Sequence, residues 1–141
     1  MPDEPQVQLL RSDRLSPDVP YAYAATTALP ARFVFTAGAC PLDADGRTVA
    51  VGDVAGQAEQ VMNNLCTALE TAGSRLVDVL KVTVYVASSS RRELGVAWDV
   101  VHRRFGDHDV PGTLLGVTVL GWPDQLVEVD AVAVARDDGE G

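Results

Sequence analysis

Two amphipathic helix patterns, with one alternating strand between them, constrain the fold of this 141-residue chain more than any other feature. The first pattern begins after Asp53, a natural N-cap, and its apolar residues recur at helical spacing until Gly73, a natural stop. The second begins where Ser90 is followed by Glu93 in the form of a capping box, and it runs to Phe105. The sequence therefore predicts two helices that each bury one face.

Strand patterns surround these helices. The predicted strands are residues 7–10, 21–27, 32–38, 79–86, 113–120 and 126–135. The segment 21–27 is a candidate to pair with the strand that follows it. Within 79–86, the alternation places Leu80, Val82, Val84 and Val86 on one face of the strand and Lys81, Thr83 and Tyr85 on the other.

The order of these elements is strands, helix, strand, helix, two strands, which is not the strict alternation of a doubly wound fold. It predicts one α+β domain over residues 1–141, with a single mixed β-sheet, two helices packed on one face, and short acidic tails. No third helix is available for the other face of the sheet. An oligomer is the simplest way to cover that face.

Charge and motif content exclude several classes of protein. The net charge of −9 repels a phosphate backbone, so no nucleic-acid partner is predicted. Cys40 and Cys66 form no CxxC pair, His102 and His108 lack zinc spacing, and no phosphate-binding glycine motif is present, so neither a metal nor a cofactor is predicted. No apolar run is long enough for a membrane, and the acidic N-terminus lacks a signal segment, which favours a cytoplasmic location.

The last strand carries the best catalytic candidate, Glu128. No lysine or arginine occurs from Phe105 to Ala135, and a carboxylate in so apolar a strand needs a partner, a raised pKa or a ligand. Asp130 lies two residues further on and points to the same face. One interpretation is a solvated strand face or an intersubunit salt bridge; the other is a general acid/base whose pKa is raised by apolar neighbours.

Several segments, in order and spacing, resemble the Rid superfamily (RidA/YjgF/UK114, once labelled L-PSP endoribonucleases). They lie in a core of about residues 20–136 and are residues 20–21, 34–41, 52–57, 64–65, 69–73, 76–86 and 127–133. The resemblance implies a chorismate-mutase-like fold and a homotrimer with small-molecule pockets in the clefts between subunits. Archetypal members hydrolyse reactive enamines and imines such as 2-aminoacrylate, releasing ammonia.

The resemblance also implies site residues. It makes Glu128 the pocket acid and Tyr21 the pocket tyrosine, while a common asparagine of the second helix is replaced by Trp98. The family's Ser-Gly-Gln loop is Ala37-Gly38-Ala39 here and is followed by Cys40. The implied ligand-binding set is Tyr21, Ala37, Gly38, Ala39, Cys40, Trp98, Gly112, Thr113 and Leu114.

One departure from the family pattern bears on the substrate. The family holds the substrate carboxylate with an arginine in a Pro-Ala-Arg-Ser/Thr motif, a bidentate contact suited to a guanidinium. Here the segment begins at Pro111 and continues through Gly112 and Thr113, and neither of these two residues supplies a cation. Arg103, Arg104 and His108 remain open as replacements for the missing arginine.

Two functions are left open. In the first, a trimer accepts a small, less anionic imine or enamine and Glu128 shuttles a proton, so that the chain is not an archetypal 2-aminoacrylate deaminase. In the second, the same cleft belongs to a non-catalytic small-molecule-binding or chaperone-like trimer. For Cys40 we favour a small buried hydrophobe over a nucleophile, and for Lys81 a surface or interface cation over a Schiff-base lysine.

Overall fold

The computed structural model describes residues 6–136 and contains two helices and six strands. The helices are α1 (Val54–Thr71) and α2 (Arg91–Phe105), and a short 3-10 turn covers Leu76–Asp78. The strands are β1 (Val7–Leu10), β2 (Ala24–Thr27), β3 (Arg32–Phe35), β4 (Val79–Val86), β5 (Gly112–Gly116) and β6 (Val127–Ala135). The predicted acidic tails, residues 1–5 with Asp137, Asp138 and Glu140, lie outside the described residues.

Four strands form a mixed sheet in the order β3-β6-β4-β5. Strands β4 and β5 run parallel, whereas β6 is antiparallel to both of its neighbours. Helix α1 packs on β6 and on α2, and α2 packs on β4 and β5. The predicted α+β fold, with both helices on one face of a mixed sheet, is therefore confirmed.

Among the described residues, neither helix combines the length and the apolar character that a membrane crossing requires.

The pairing predicted for residues 21–27 is wrong. Strand β2 pairs with β1 in a separate two-stranded sheet, with Val7 opposite Thr27 and Leu10 opposite Ala24. The backbone groups of β2 are thus used by β1, while β3 pairs with β6, with Phe33 opposite Val134. We call the two-stranded sheet the β1–β2 ribbon.

Two predicted strands end earlier than expected, β3 because its own chain leaves β6 and β5 because its partner β4 ends. Beyond β3, the Thr36 hydroxyl accepts a hydrogen bond from Ala131 N at 3.0 Å, and the chain arches before Ala39 pairs again with Val129. Strand β5 stops at Gly116 because Gly116 lies opposite Val86, the last residue of β4. The prediction that this strand reaches residue 120 is wrong for that reason.

The buried face of β4 differs at one residue from the predicted alternation. The register shifts between Val79 and Lys81, a bulge that turns Val79 toward the helices in place of Leu80. The side chains that are fully buried under the helices are Val79, Val82, Val84 and Val86. The predicted position of Leu80 among them is wrong, because an uninterrupted period of two cannot anticipate a bulge.

The face of the mixed sheet opposite the helices, here called the open face, carries both polar and apolar side chains. Its residues include Phe33, Phe35, Lys81, Thr83, Tyr85, Thr113, Leu115, Glu128, Asp130 and Val132, as the strand registers place them. Phe35 is 76% exposed and Phe33 47%. Large apolar side chains on one flat surface are typical of a face that a partner covers.

Candidate functional site

Glu128 lies half-buried on the open face, where β6 places it opposite Tyr85 of β4. Its Oε1 atom accepts a hydrogen bond from Gln125 Nε2 at 3.1 Å and a weaker one from Cys40 Sγ at 3.6 Å. Within residues 6–136, Oε2 accepts no hydrogen bond. One oxygen of this carboxylate is therefore anchored, and the hydrogen-bonding capacity of the other is unused within these residues.

Gly38 forms the surface against which the carboxylate rests. A Cβ at this position would lie 2.0 Å from Glu128 Oε2 and 2.5 Å from Cδ, so any side chain here would displace the carboxylate. The loop closes around the same point, because Cys40 Sγ also lies 3.4 Å from Gly38 O, and its single S–H is shared between that carbonyl and Glu128 Oε1. The family resemblance suggested Gly38 as a site residue, and the structure gives the physical reason why glycine is needed there.

Helix α1 holds the two chain segments that meet at Glu128. Asn64 Nδ2 donates to Cys40 O at 2.8 Å and fixes the loop that contains Gly38. Gln57, which is fully buried, donates from Nε2 to Asp124 O at 2.9 Å and accepts from Leu126 N at 2.7 Å. These bonds fix the segment from which Gln125 reaches the carboxylate.

The Cys40 thiol is held protonated beside this carboxylate. Burial raises its pKa above the ordinary value, and the negative charge of Glu128 raises it further, against smaller opposing effects of Gln125 and Trp122. A thiol with a raised pKa is a poor nucleophile at neutral pH. The geometry thus makes Cys40 a hydrogen-bond donor to Glu128.

Asp130, the second acid of the strand, is engaged by Tyr85. The phenol Oη donates to Asp130 Oδ2 at 3.1 Å. Burial raises the pKa of Tyr85, and the hydrogen bond and charge of Asp130 add to this, followed by the charge of Glu128. The phenol therefore stays protonated. The two acids differ in their hydrogen-bond donors: Asp130 accepts from Tyr85 of the neighbouring strand, whereas Glu128 accepts from Gln125.

A second group of predicted residues lies at the β5 side of the sheet. The Tyr21 ring meets Trp98 edge-on, with centroids 6.3 Å apart, and Trp98 stacks on His102. A Cβ on Gly112 would come within 2.6 Å of Trp98 Cη2. Within residues 6–136 no hydrogen bond joins this aromatic group to Glu128, so the predicted ligand-binding residues divide into two groups within one chain.

The remaining predicted residues have separate environments. The Ala39 backbone pairs with Val129, and the Leu114 side chain packs against the core rather than on the open face. Ala37 is exposed. Thr113 lies on the open face, where its Oγ1 accepts a hydrogen bond from Lys81 Nζ.

The cations considered as replacements for the missing arginine are engaged elsewhere. Arg103 and Arg104 both pair with Glu59, at 2.9 and 3.1 Å. The His108 ring nitrogen Nε2 lies 2.8 Å from Val79 O. Within the described chain these three side chains serve packing and helix contacts.

Gln57 and Gln125 are the site-positioning residues that the sequence reasoning missed. Gln57 had a signal, since it is a polar residue on the buried stripe of α1 between Val54 and Ala58. A polar side chain at such a position must find hydrogen-bond partners. Gln125 had no signal in the sequence, because its role depends on a turn that only the folded chain shows.

Among the residues that the structure describes, no cluster of three histidine, cysteine, aspartate or glutamate side chains could hold a metal ion.

The helices on one face of a mixed sheet, with a carboxylate seated on a glycine loop at the opposite face, define a Rid-type domain. The sequence model of the Endoribonuclease L-PSP family matches residues 12–135. The chain therefore belongs to this family, which confirms the predicted membership of the Rid superfamily.

Relatives support the same assignment. A RutC family protein of Pyrococcus horikoshii is 34% identical over 101 residues, which cover 72% of this chain and 78% of that protein. A RutC family protein of Synechocystis is 35% identical over 104 residues, with 72% and 78% covered. The solved structure of YyfB, a Rid-family protein of Yersinia pestis, superimposes with a TM-score of 0.84 at 26% identity, covering 92% of this chain and 98% of that one.

Proposed function

We propose that this protein is a homotrimeric Rid-type enzyme that acts on a reactive imine, enamine or related metabolic intermediate. In this proposal Glu128 transfers the proton, and the pocket is completed in the cleft between copies. The observation that carries it is the asymmetric carboxylate: Oε1 is held by Gln125 and Cys40, while Oε2 accepts no hydrogen bond from residues 6–136. A fixed carboxylate with one free oxygen is suited to general acid/base chemistry.

The proposed pocket draws on both groups of residues. Hydrolysis of an imine needs a proton delivered to the leaving nitrogen and a water activated at carbon, and one carboxylate can serve both steps in turn. Glu128 has this role, and the backbone around Gly38 shapes its side of the pocket. Tyr21 and Trp98 lie in the other group, so a trimer that brings neighbouring copies together offers one way to unite them.

The Glu128→Gln variant tests this proposal, with ammonia release from imines that lack a carboxylate as the readout. The amide keeps the size of the side chain but cannot exchange a proton. We expect turnover to fall by about 100-fold or more, the usual contribution of general acid/base catalysis. Glu70→Gln, at an exposed position on α1, is the matched control and should leave turnover unchanged. Equal turnover of Glu128→Gln and the wild-type protein would remove Glu128 from the mechanism.

We also propose that the chain is not an archetypal 2-aminoacrylate deaminase. Neither Gly112 nor Thr113 supplies the guanidinium fork that binds a substrate carboxylate in two places. Loss of a charged bidentate contact costs several kcal/mol, which corresponds to about 100-fold or more in rate. Ammonia release from 2-aminoacrylate should therefore be slower by that factor than with an arginine-containing relative, and equal rates would contradict the proposal.

A non-catalytic small-molecule-binding or chaperone-like trimer is the second candidate function. It is supported by the loop at 37–39, where alanines stand in place of polar side chains, and by the protonated state of the Cys40 thiol. Thermal-shift screening separates the two candidates, because a ligand stabilises the folded state whether or not it reacts. Tight binding without product formation would favour this second function.

RNA cleavage is not proposed, since a net charge of −9 opposes binding of RNA.

A further inference from the structure

Trp122 is a half-exposed aromatic residue that the proposed mechanism does not use. It lies in the segment between β5 and β6, and 49% of its surface is accessible. Within residues 6–136 its ring meets no other aromatic ring. Removal of apolar surface from water is favourable, so the free face of the indole favours contact with an apolar group.

The backbone of Trp122 is joined to the Glu128 carboxylate through one buried amide. Trp122 N donates to Gln125 Oε1 at 3.0 Å, and Gln125 Nε2 donates to Glu128 Oε1 at 3.1 Å. Gln125 is only 4% exposed. The fold therefore fixes the position of Trp122 relative to the carboxylate.

The Trp122 side chain lies beside Cys40. Burial raises the pKa of the Cys40 thiol, and the Trp122 side chain approaches Sγ closely enough to oppose part of that rise. Cys40 Sγ in turn lies 3.6 Å from Glu128 Oε1. The indole thus borders the Glu128 site from the turn between β5 and β6, and not from a strand of the open face.

The turn that carries Trp122 is held by two further hydrogen bonds. Thr48 Oγ1 donates to Pro123 O at 2.8 Å, and Gln57 Nε2 donates to Asp124 O at 2.9 Å. A wall that is already fixed loses little conformational freedom when a ligand binds. A fixed indole also selects ligands by shape, because a flat group can stack on its whole face and a puckered group cannot.

The charge of the site narrows the class of ligand further. Strand β6 places Glu128 and Asp130 here, and two carboxylates disfavour an anionic ligand. An uncharged ligand meets no such repulsion. Stacking on the indole gives that ligand a contact that needs no charge.

We propose that Trp122 is a specificity-determining residue, whose indole stacks on a flat and uncharged part of the substrate while the imine or enamine nitrogen lies at Glu128. The preferred substrate is one in which this nitrogen group is conjugated with an aromatic ring or another unsaturated group. This inference rests on the proposed function and deepens it, because it names the class of substrate. A saturated substrate of the same size should bind more weakly, since stacking adds about 3- to 10-fold in affinity beyond the burial of area.

Fluorine NMR of the full chain labelled with 5-fluorotryptophan tests the proposal with benzamide and cyclohexanecarboxamide. These two probes are uncharged and carry the same amide, but only benzamide has a flat ring. We expect benzamide to bind in the millimolar range, about 3- to 10-fold more tightly than cyclohexanecarboxamide, and to shift the resonance of Trp122. Loss of a resonance in Trp122→Phe assigns that signal.

Three variants separate stacking from a general loss of binding. Trp122→Leu should bring the ratio of the two affinities close to one, whereas Trp122→Phe should retain most of the preference because it keeps a flat ring. Val77→Ala is the matched control. Val77 is an apolar residue with 44% exposure before β4, at the end of that strand opposite the pairing of Tyr85 with Glu128, and the ratio should not change.

Glu128→Gln distinguishes this inference from the proposed function on which it rests. The variant should lose turnover and keep the preference for benzamide, so a failure of Glu128 catalysis and a failure of Trp122 stacking give different results. Absence of benzamide binding, equal affinity for the two probes in the wild-type protein, an unshifted Trp122 resonance, or an unchanged preference in a folded Trp122→Leu variant would overturn the inference.

Discussion

At the scale of single residues, the contact between Gly38 and Glu128 determines where the carboxylate lies. Any side chain at position 38 would enter the volume of Oε2. A Gly38→Ala variant should therefore push the carboxylate off its site and reduce turnover or ligand affinity by about 10-fold or more, since misplacement of 1 Å has effects of this size or larger. Gly121→Ala is the control, because a Cβ there meets no atom within 4 Å. Full activity of Gly38→Ala would show that the position of Oε2 is not critical.

The Tyr85 phenol allows a second test at this scale. Burial, then Asp130, raises its pKa above the ordinary value of about 10. Because the folded state holds the proton more tightly, Tyr85 contributes stability that is fully present below the unfolded pKa and is lost as pH rises through the folded pKa. The ultraviolet difference titration of wild type minus Tyr85→Phe should give a midpoint above that of free tyrosine.

Asp130→Asn separates the causes of that shift. The variant should lower the Tyr85 midpoint only in part, because burial is the largest cause and remains. A difference midpoint at or below the value of free tyrosine in the wild-type protein would contradict the geometry of the Tyr85–Asp130 pair.

At the scale of elements, α1 stabilises the loops that carry the site through Gln57. Gln57→Leu keeps the approximate size of the side chain but leaves Leu126 N and Asp124 O without their partner. We expect a loss of about 1–3 kcal/mol in the free energy of unfolding, the cost of unsatisfied buried groups. Chemical denaturation measures it, and Glu70→Leu on the exposed side of the same helix should change stability far less. Equal losses in the two variants would mean that the hydrogen bonds of Gln57 contribute little.

The elements also show how far the sequence could predict this molecule. Helix spacing and caps located α1 and α2 because burial of one face and satisfaction of the first N–H groups are local requirements. Even so, only one of the two hydrogen bonds of the predicted capping box forms. Ser90 Oγ accepts a hydrogen bond from Glu93 N, whereas the Glu93 carboxylate accepts one from the Ser88 hydroxyl.

What could not be predicted depends on contacts distant in sequence. The bulge after Val79, the ribbon partner of β2 and the end of β5 are each set by a neighbouring strand. The candidate site follows the same rule. Glu128 could be selected from its apolar surroundings in the sequence, but its anchoring by Gln125 and the meeting of Lys81 with Thr113 required the folded sheet.

At the scale of the whole molecule, the open face predicts an assembly. Phe35 is 76% exposed on the face of the sheet that no helix covers within residues 6–136, and the proposed trimer would bury it. Phe35→Glu should therefore shift the protein toward monomers, as measured by light scattering after size exclusion. Leu29→Glu is a matched control, since Leu29 is equally exposed but lies outside the strands. An unchanged oligomer in Phe35→Glu would exclude this face as the interface.

Helix α1 holds both chain segments that meet at Glu128, and this has a consequence for how the protein loses activity. Asn64 and Gln57 tie both walls of the Glu128 site to one helix, two turns apart. Heat that loosens this helix would release both walls at once, since they share a single support. Thermal inactivation and thermal unfolding should then have the same midpoint temperature. The site should unfold together with the rest of the domain as one cooperative unit.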